Sequence, residues 1–172
     1  MKKIISLLAV IGITIFSSCE GPEGIPGQDG QDGQSGLIAE VIEVTNVSFT
    51  SSNNFTKTVL FNPPIFESDV VLVYRLAGVF QGKDVWKLLP ETHYSPSGTL
   101  NFGFDFDFTV NDVDIYLVGN NLSTVPNEFS SNQVLRIIIV PGSFTKTLNT
   151  NNYAEVIKAL NINESQIQKI NF

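Results

Sequence analysis

A chain of 172 residues is long enough for one domain and a linker, and short for several. Seventeen acids against ten bases give a net charge of −7, a field that repels phosphate backbones and argues against nucleic acid as a partner. One cysteine and one histidine leave no material for an intramolecular disulfide, a dithiol redox pair or an ordinary zinc site.

The N-terminus carries the most specific pattern. Lys2 and Lys3 precede an uncharged, largely apolar run from Ile4 to Phe16, and Ser17, Ser18 and Cys19 follow. At 1.5 Å per residue, this run is too short for a hydrocarbon core of about 30 Å. A basic start, a short apolar run and small residues at its end read as a cleaved signal peptide over residues 1–18. Phe16-Ser17-Ser18-Cys19 resembles the lipobox of bacterial lipoproteins, with Phe where an aliphatic residue is usual. That resemblance implies that Cys19 receives a diacylglyceryl group, that the peptide before it is removed, and that the new amine is acylated. It also accounts for a lone cysteine in an oxidising envelope. Two or more acyl chains, at roughly 0.8 kcal/mol per buried CH₂, anchor stably. Loss of the leader removes two lysines and no acids, which takes the net charge of the remaining chain to about −9.

Residues 19–36 form the next segment. From Gly21 to Gly36 glycine returns at every third position through Gly-Pro-Glu, Gly-Ile-Pro, two Gly-Gln-Asp units and Gly-Gln-Ser. This resembles the collagen Gly-X-Y repeat, whose period reflects the space for glycine alone at the axis of three polyproline II chains. The repeat admits a homotrimer through residues 21–36. Against a free-standing triple helix stand the absence of proline after Pro26 and the repulsion among Glu23, Asp29 and Asp32. The plain alternative is a soluble tether, reaching roughly 50 Å if extended as polyproline II and about 20–25 Å as a coil.

Cys19-Glu20-Gly21-Pro22, the triplets, Val85–Pro90 and Val140-Pro141-Gly142 together resemble small Bacteroidota lipoproteins with one β-rich domain behind a short collagen-like stretch. The likeness implies a cell-envelope, outer-membrane lipoprotein, periplasmic or surface-exposed. It brings no catalytic residues. Glu20 and Glu23 thinly resemble the acidic surface-export signal of such bacteria.

From residue 37 to 172 the pattern is mostly that of strands. Ile38 to Phe49 is β-branched, with Val41, Glu43, Thr45 and Val47 on one face and Ile42, Val44 and Asn46 on the other. Thr56 to Phe61 is a second run, broken by Asn62-Pro63-Pro64. Val70 to Leu76 is almost continuously apolar, as a strand buried on both faces would be. A turn at Gln81–Asp84 leads to a return strand over 84–89, stopped by Pro90. Ser95-Pro96-Ser97-Gly98 marks another turn.

Leu100 to Phe108 alternates, placing Phe102, Phe104, Phe106 and Phe108 on one face and Gly103, Asp105 and Asp107 on the other. Val113 to Val118 and Val134 to Val140 follow, the latter interrupted by Arg136. Short strands at this spacing predict a mainly β, antiparallel sandwich or barrel-like domain. At the end, Asn152 and Glu155 resemble a capping box. Tyr153, Val156, Ile157 and Leu160 fall on one face of a short C-terminal helix, which is expected to cover an end or open edge of the sheet. Residues 166–172 read equally as a strand or a helical turn.

Candidate sites each have a plain alternative. If 100–108 and 112–118 pair, Asp105, Asp107, Asp112 and Asp114 crowd one hairpin, where Ca²⁺ would offset like-charge repulsion. A solvated polar face explains the same residues, and no EF-hand pattern is present. No other cofactor is expected, because neither a nucleotide-binding glycine pattern nor a Walker lysine motif occurs. His93 lies near Ser95 and Ser97, but without a Gly-x-Ser-x-Gly elbow it reads as a surface-turn histidine. Trp86 with Tyr74, Tyr94 and Tyr116 could line a surface for a protein or glycan ligand, with core packing the default for Trp86. The expectation is a lipid-anchored, non-catalytic binding, adhesion or structural protein. The rivals are a trimeric collagen-like assembly protein and an envelope hydrolase using acids such as Asp105 and Asp112, for which two facing carboxylates in a cleft would be needed.

Overall fold

A computed structural model describes residues 39–144 and 149–172. The signal peptide, Cys19 and the Gly-X-Y segment lie outside the described residues. Among the described residues, nine strands form two sheets. They are β1 (Glu40–Val47), β2 (Thr56–Leu60), β3 (Val70–Phe80), β4 (Lys83–Leu88), β5 (Glu91–Tyr94), β6 (Leu100–Phe108), β7 (Asp112–Gly119), β8 (Gln133–Val140) and β9 (Gln168–Asn171). The five-stranded sheet has the order β4-β3-β8-β1-β9 and the four-stranded sheet β2-β7-β6-β5. All pairs are antiparallel except β1 with β9. The expected β-sandwich is therefore present, with one parallel pair.

Alternation decides which side chains meet between the sheets. Ile42, Val44, Val71, Val73, Leu135 and Ile137 from the larger sheet pack against Val59, Phe102, Phe104, Val113, Ile115 and Leu117 from the smaller. Phe49 meets Phe104 edge to face, with centroids 5.8 Å apart, a preferred arrangement for aromatic quadrupoles.

The larger sheet is buried on its other face too. A second apolar cluster joins Val41, Leu72, Tyr74, Ile138 and Val140 to Val156, Leu160, Ile162 and Ile167 of the C-terminal region. This is why β3 and β8 are apolar at consecutive positions. A single helical turn, α1 (Asn127–Ser130), precedes β8, and α2 (Tyr153–Ala159) supplies Val156 to that cover. The Asn152 side chain accepts the Glu155 backbone N–H, so the predicted cap is formed. The helix sits beside β4, an edge strand of the larger sheet. It lies against a sheet face, because that face is apolar and the sandwich core covers only the opposite one.

Three local departures shape the site. In β1, Asn46 has φ 57° and the register to β8 shifts between Val44 and Val47. This bulge reverses the parity, so Val47 joins Ile42 and Val44 in the sandwich core rather than Val41 and Glu43. After β4, Leu89-Pro90 carries the chain into the other sheet, where Glu91–Tyr94 forms a short edge strand that composition did not announce. Residues 168–171 settle as β9 after a 3₁₀ turn over Glu164–Gln166.

Candidate functional site

Two buried arginines organise the polar chemistry of the domain. Arg75 follows Val71 and Val73 on the inner face of β3, yet its side chain is only 5 % exposed. An isolated cation there would be costly, so counter-charge must come from the facing sheet. Glu91, at the start of β5 and opposite Phe104, supplies it. Arg75 donates from Nε to Glu91 Oε2 at 2.8 Å and from Nη2 to Oε1 at 3.0 Å, a bidentate pair of the kind arginine geometry favours. Nη1 donates to Gln133 Oε1 at 3.3 Å, and the guanidinium lies 4.9 Å from the Phe104 ring centroid. Gly103 permits the close strand approach, since a Cβ there would sit 2.8 Å from the Glu91 carbonyl oxygen.

Glu91 has two further neighbours, one of them cationic. Lys87 donates at 3.1 Å from an exposed position, and His93 Nε2 lies 3.0 Å away without hydrogen-bond alignment. Burial pushes the Glu91 carboxyl up, but Arg75 and then Lys87 outweigh it and hold the group below its ordinary value of 4.5. For His93, burial dominates and pushes the imidazole below 6.5, although Glu91 pulls the other way. The ring stacks on Phe102 at 4.5 Å and meets Phe129 edge-on at 4.6 Å. A cleft of about 290 Å³ opens beside this cluster, lined by Arg75, Gly78, Glu128, Phe129 and Gln133 among others.

His93 is thus not a surface-turn residue. Its strand places it opposite Phe102, on the core-facing side. Ser95 and Ser97 form a separate turn network, with their hydroxyls 2.7 Å apart and Ser95 Oγ also donating to the Thr99 carbonyl. With an ionised acid, a neutral histidine and serines bonded to each other, the geometry builds no Ser-His-acid relay.

The second cluster lies on the helix-covered face. Arg136 points to this side of β8 and donates to Glu43 Oε2 at 2.8 Å. It also donates to both carboxylate oxygens of Glu164 at 3.1 Å and to the Tyr153 hydroxyl. Its guanidinium sits 4.4 Å from the Trp86 ring, and Trp86 is tilted against Tyr153 at 5.3 Å. Beside them, Asp84, Val85, Asn151 and Asn152 border a cleft of about 380 Å³. Trp86 belongs to the packed cluster under α2, as the default reading held. Its aromatic neighbour is Tyr153 rather than the set named from sequence. Tyr74 is fully buried and donates to the Thr150 carbonyl, Tyr94 is an exposed end residue of β5, and Tyr116 stands on the outer face of the smaller sheet.

The acidic hairpin forms, with Asp107 directly opposite Asp114 and Asp105 opposite Tyr116. Asp114 accepts from the Thr58 hydroxyl and Asp112 from the Thr109 hydroxyl at 2.6 Å. Among the described residues, no group of three or more acidic, histidine or cysteine side chains is gathered so that it could hold a metal ion. Asp105, Asp107, Asp112 and Asp114 are spread along two strands.

Arg75 and Arg136 escaped prediction as paired centres, though each carries a signal: a cation inside a strand apolar on both faces. The partners could not be named, because Glu91 and Glu43 are brought in by sheet order. No family model, curated protein or solved structure matches the chain.

Proposed function

We propose that this chain is a lipid-anchored cell-envelope protein whose sandwich domain serves in binding, adhesion or structural assembly without catalysis. One observation carries the reading: a basic start and an apolar run of about 13 residues, too short to span a bilayer, end on the chain's single cysteine. Among the described residues, no helix is long and apolar enough to cross a membrane, so Cys19 is the anchoring group this reading requires. The pairing of Glu91 with Arg75 and of Glu43 with Arg136 favours a scaffold role for these acids over proton transfer.

Intact mass and detergent partition of the wild-type protein and Cys19→Ser, made in a lipoprotein-processing bacterium, test the anchor. A chain beginning at Cys19, carrying acyl mass and entering the detergent phase only with the cysteine present supports the reading. An unmodified wild-type chain in the aqueous phase overturns it.

A further inference from the structure

The end of the sandwich at which the chain enters β1 carries an exposed apolar rim. Glu40 lies opposite Ile139, and Val70 opposite Val140, so the start of β1, the start of β3 and the end of β8 share this end. The 61–69 connection belongs to it, because Phe61 N–H donates to Asn111 O and Ile65 N–H to Val110 O. The turn after β8 abuts the same connection: a Cβ at Gly142 would overlap the Ser68 carbonyl. Three connections and the entry to β1 thus converge, and they bring Leu60, Phe66, Val70, Phe108, Val110 and Phe144 to the surface, with Leu60 71 % and Phe66 59 % exposed. Isolated exposed apolar side chains need no explanation, but several on one rim mark a contact surface.

We infer that this rim rests on the headgroup and upper acyl region of a bilayer. The inference builds on the anchored reading. Residues 20–38 link Cys19 to Ala39, the first described residue before β1, so chain connectivity ties an acyl group on Cys19 to the end that carries the rim. A surface covalently tied to a bilayer needs little affinity of its own to stay engaged. Phenylalanine, leucine and valine suit the apolar side of the interface. The described parts of these connections, 61–69, 109–111 and 141–144, contain Glu67 and Asp69 and no lysine or arginine; Lys146 follows 141–144 in the same connection, so acids still outnumber bases at this end. The surface therefore fits a zwitterionic bilayer and gains nothing from anionic lipid.

Single-cysteine spin labelling of the full chain tests the inference, because acylation consumes Cys19 and leaves only the introduced thiol. Phe66→Cys and Val110→Cys report the rim, and Phe80→Cys, at the tip of the β3–β4 hairpin, reports the opposite end. In phosphatidylethanolamine–phosphatidylcholine vesicles, labels at 66 and 110 are expected to gain collisions with oxygen severalfold and lose them with a water-soluble nickel chelate. The label at 80 stays aqueous, and added anionic lipid does not strengthen the contrast. Acylated protein with all three labels equally aqueous overturns the docking and leaves the anchor standing. If intact mass shows no acyl group, the same labels on the Cys19→Ser background read the rim alone. Immersion there keeps the docking and removes the anchor, and an aqueous signal removes both. As a measurement independent of nitroxides, Phe66→Trp in a Trp86→Phe background is expected to be quenched by brominated lipid, and absence of quenching in acylated protein counts against the docking.

Discussion

Replacing Arg75 with methionine keeps most of the side-chain volume and removes the charge that faces Glu91. The Glu91 side chain is 6 % exposed and loses two hydrogen bonds, of 2.8 and 3.0 Å. Breaking a buried pair by removing one partner costs about 3–5 kcal/mol, since the remaining charge is left uncompensated. Lys87 and His93 remain near the carboxylate, which places the expected loss at the lower end, about 3 kcal/mol. The double variant Arg75→Met/Glu91→Met is expected to recover most of it, because a buried pair replaced by apolar groups of similar volume is often neutral. Urea unfolding at pH 7, followed through Trp86 fluorescence, gives both values. With m of about 1–3 kcal/mol/M, a 3 kcal/mol loss moves the midpoint by at least about 1 M. A single variant within about 0.5 kcal/mol of wild type, or a double variant as damaged as the single, refutes the assignment of Arg75–Glu91 as a buried pair held by mutual compensation.

Two further outcomes follow from the same chemistry. His93 and Glu91 both have folded-state pKa values below their ordinary 6.5 and 4.5, so each contributes stability that is present above its ordinary value and lost as pH falls through the folded value. Stability should decline below about pH 6.5 and again below about pH 4.5; His93→Gln should abolish the upper decline alone, and superimposable pH curves for the two proteins would contradict this. On the outer face, Asp107→Asn removes a like-charge pair with Asp114 and should raise stability by roughly 0.2–1 kcal/mol in thermal or urea unfolding; loss of a calcium-dependent stabilisation in this variant would instead point to a cation between the strands.

Much of the sandwich is legible because alternation at period two survives in the strands that matter. Phe102 and Phe104 against Gly103 and Asp105 announce one core face and one outer face without any tertiary information. The apolar runs of β3 and β8 also announce a second cover, yet its identity depends on where α2 lands. β5 is opaque because Glu91-Thr92-His93-Tyr94 is short, polar and enclosed by Pro90 and Ser95. Its strand character comes from pairing with β6, and Gly103 makes that approach tight. Val47 is misassigned by simple alternation because Asn46 takes a left-handed conformation, and one such residue inverts every face after it. The arginine centres are half legible: Arg75 and Arg136 stand out as cations in apolar strands, while their acids come from strands or turns brought near by the fold.

The placement of β1 has a mechanical consequence. The strand that receives the N-terminal segment is internal, with β8 bonded along one side and β9 along the other. Tension applied at Glu40 along the strand axis loads the two ladders in shear, so many hydrogen bonds share the force at once. An edge strand pulled sideways would open them one at a time. β9 runs parallel to β1 and ends at Asn171, and the N–H of the following Phe172 donates to the Thr45 carbonyl, so this segment braces β1. A domain held from its N-terminus and pulled at its far end would resist extension through this internal strand.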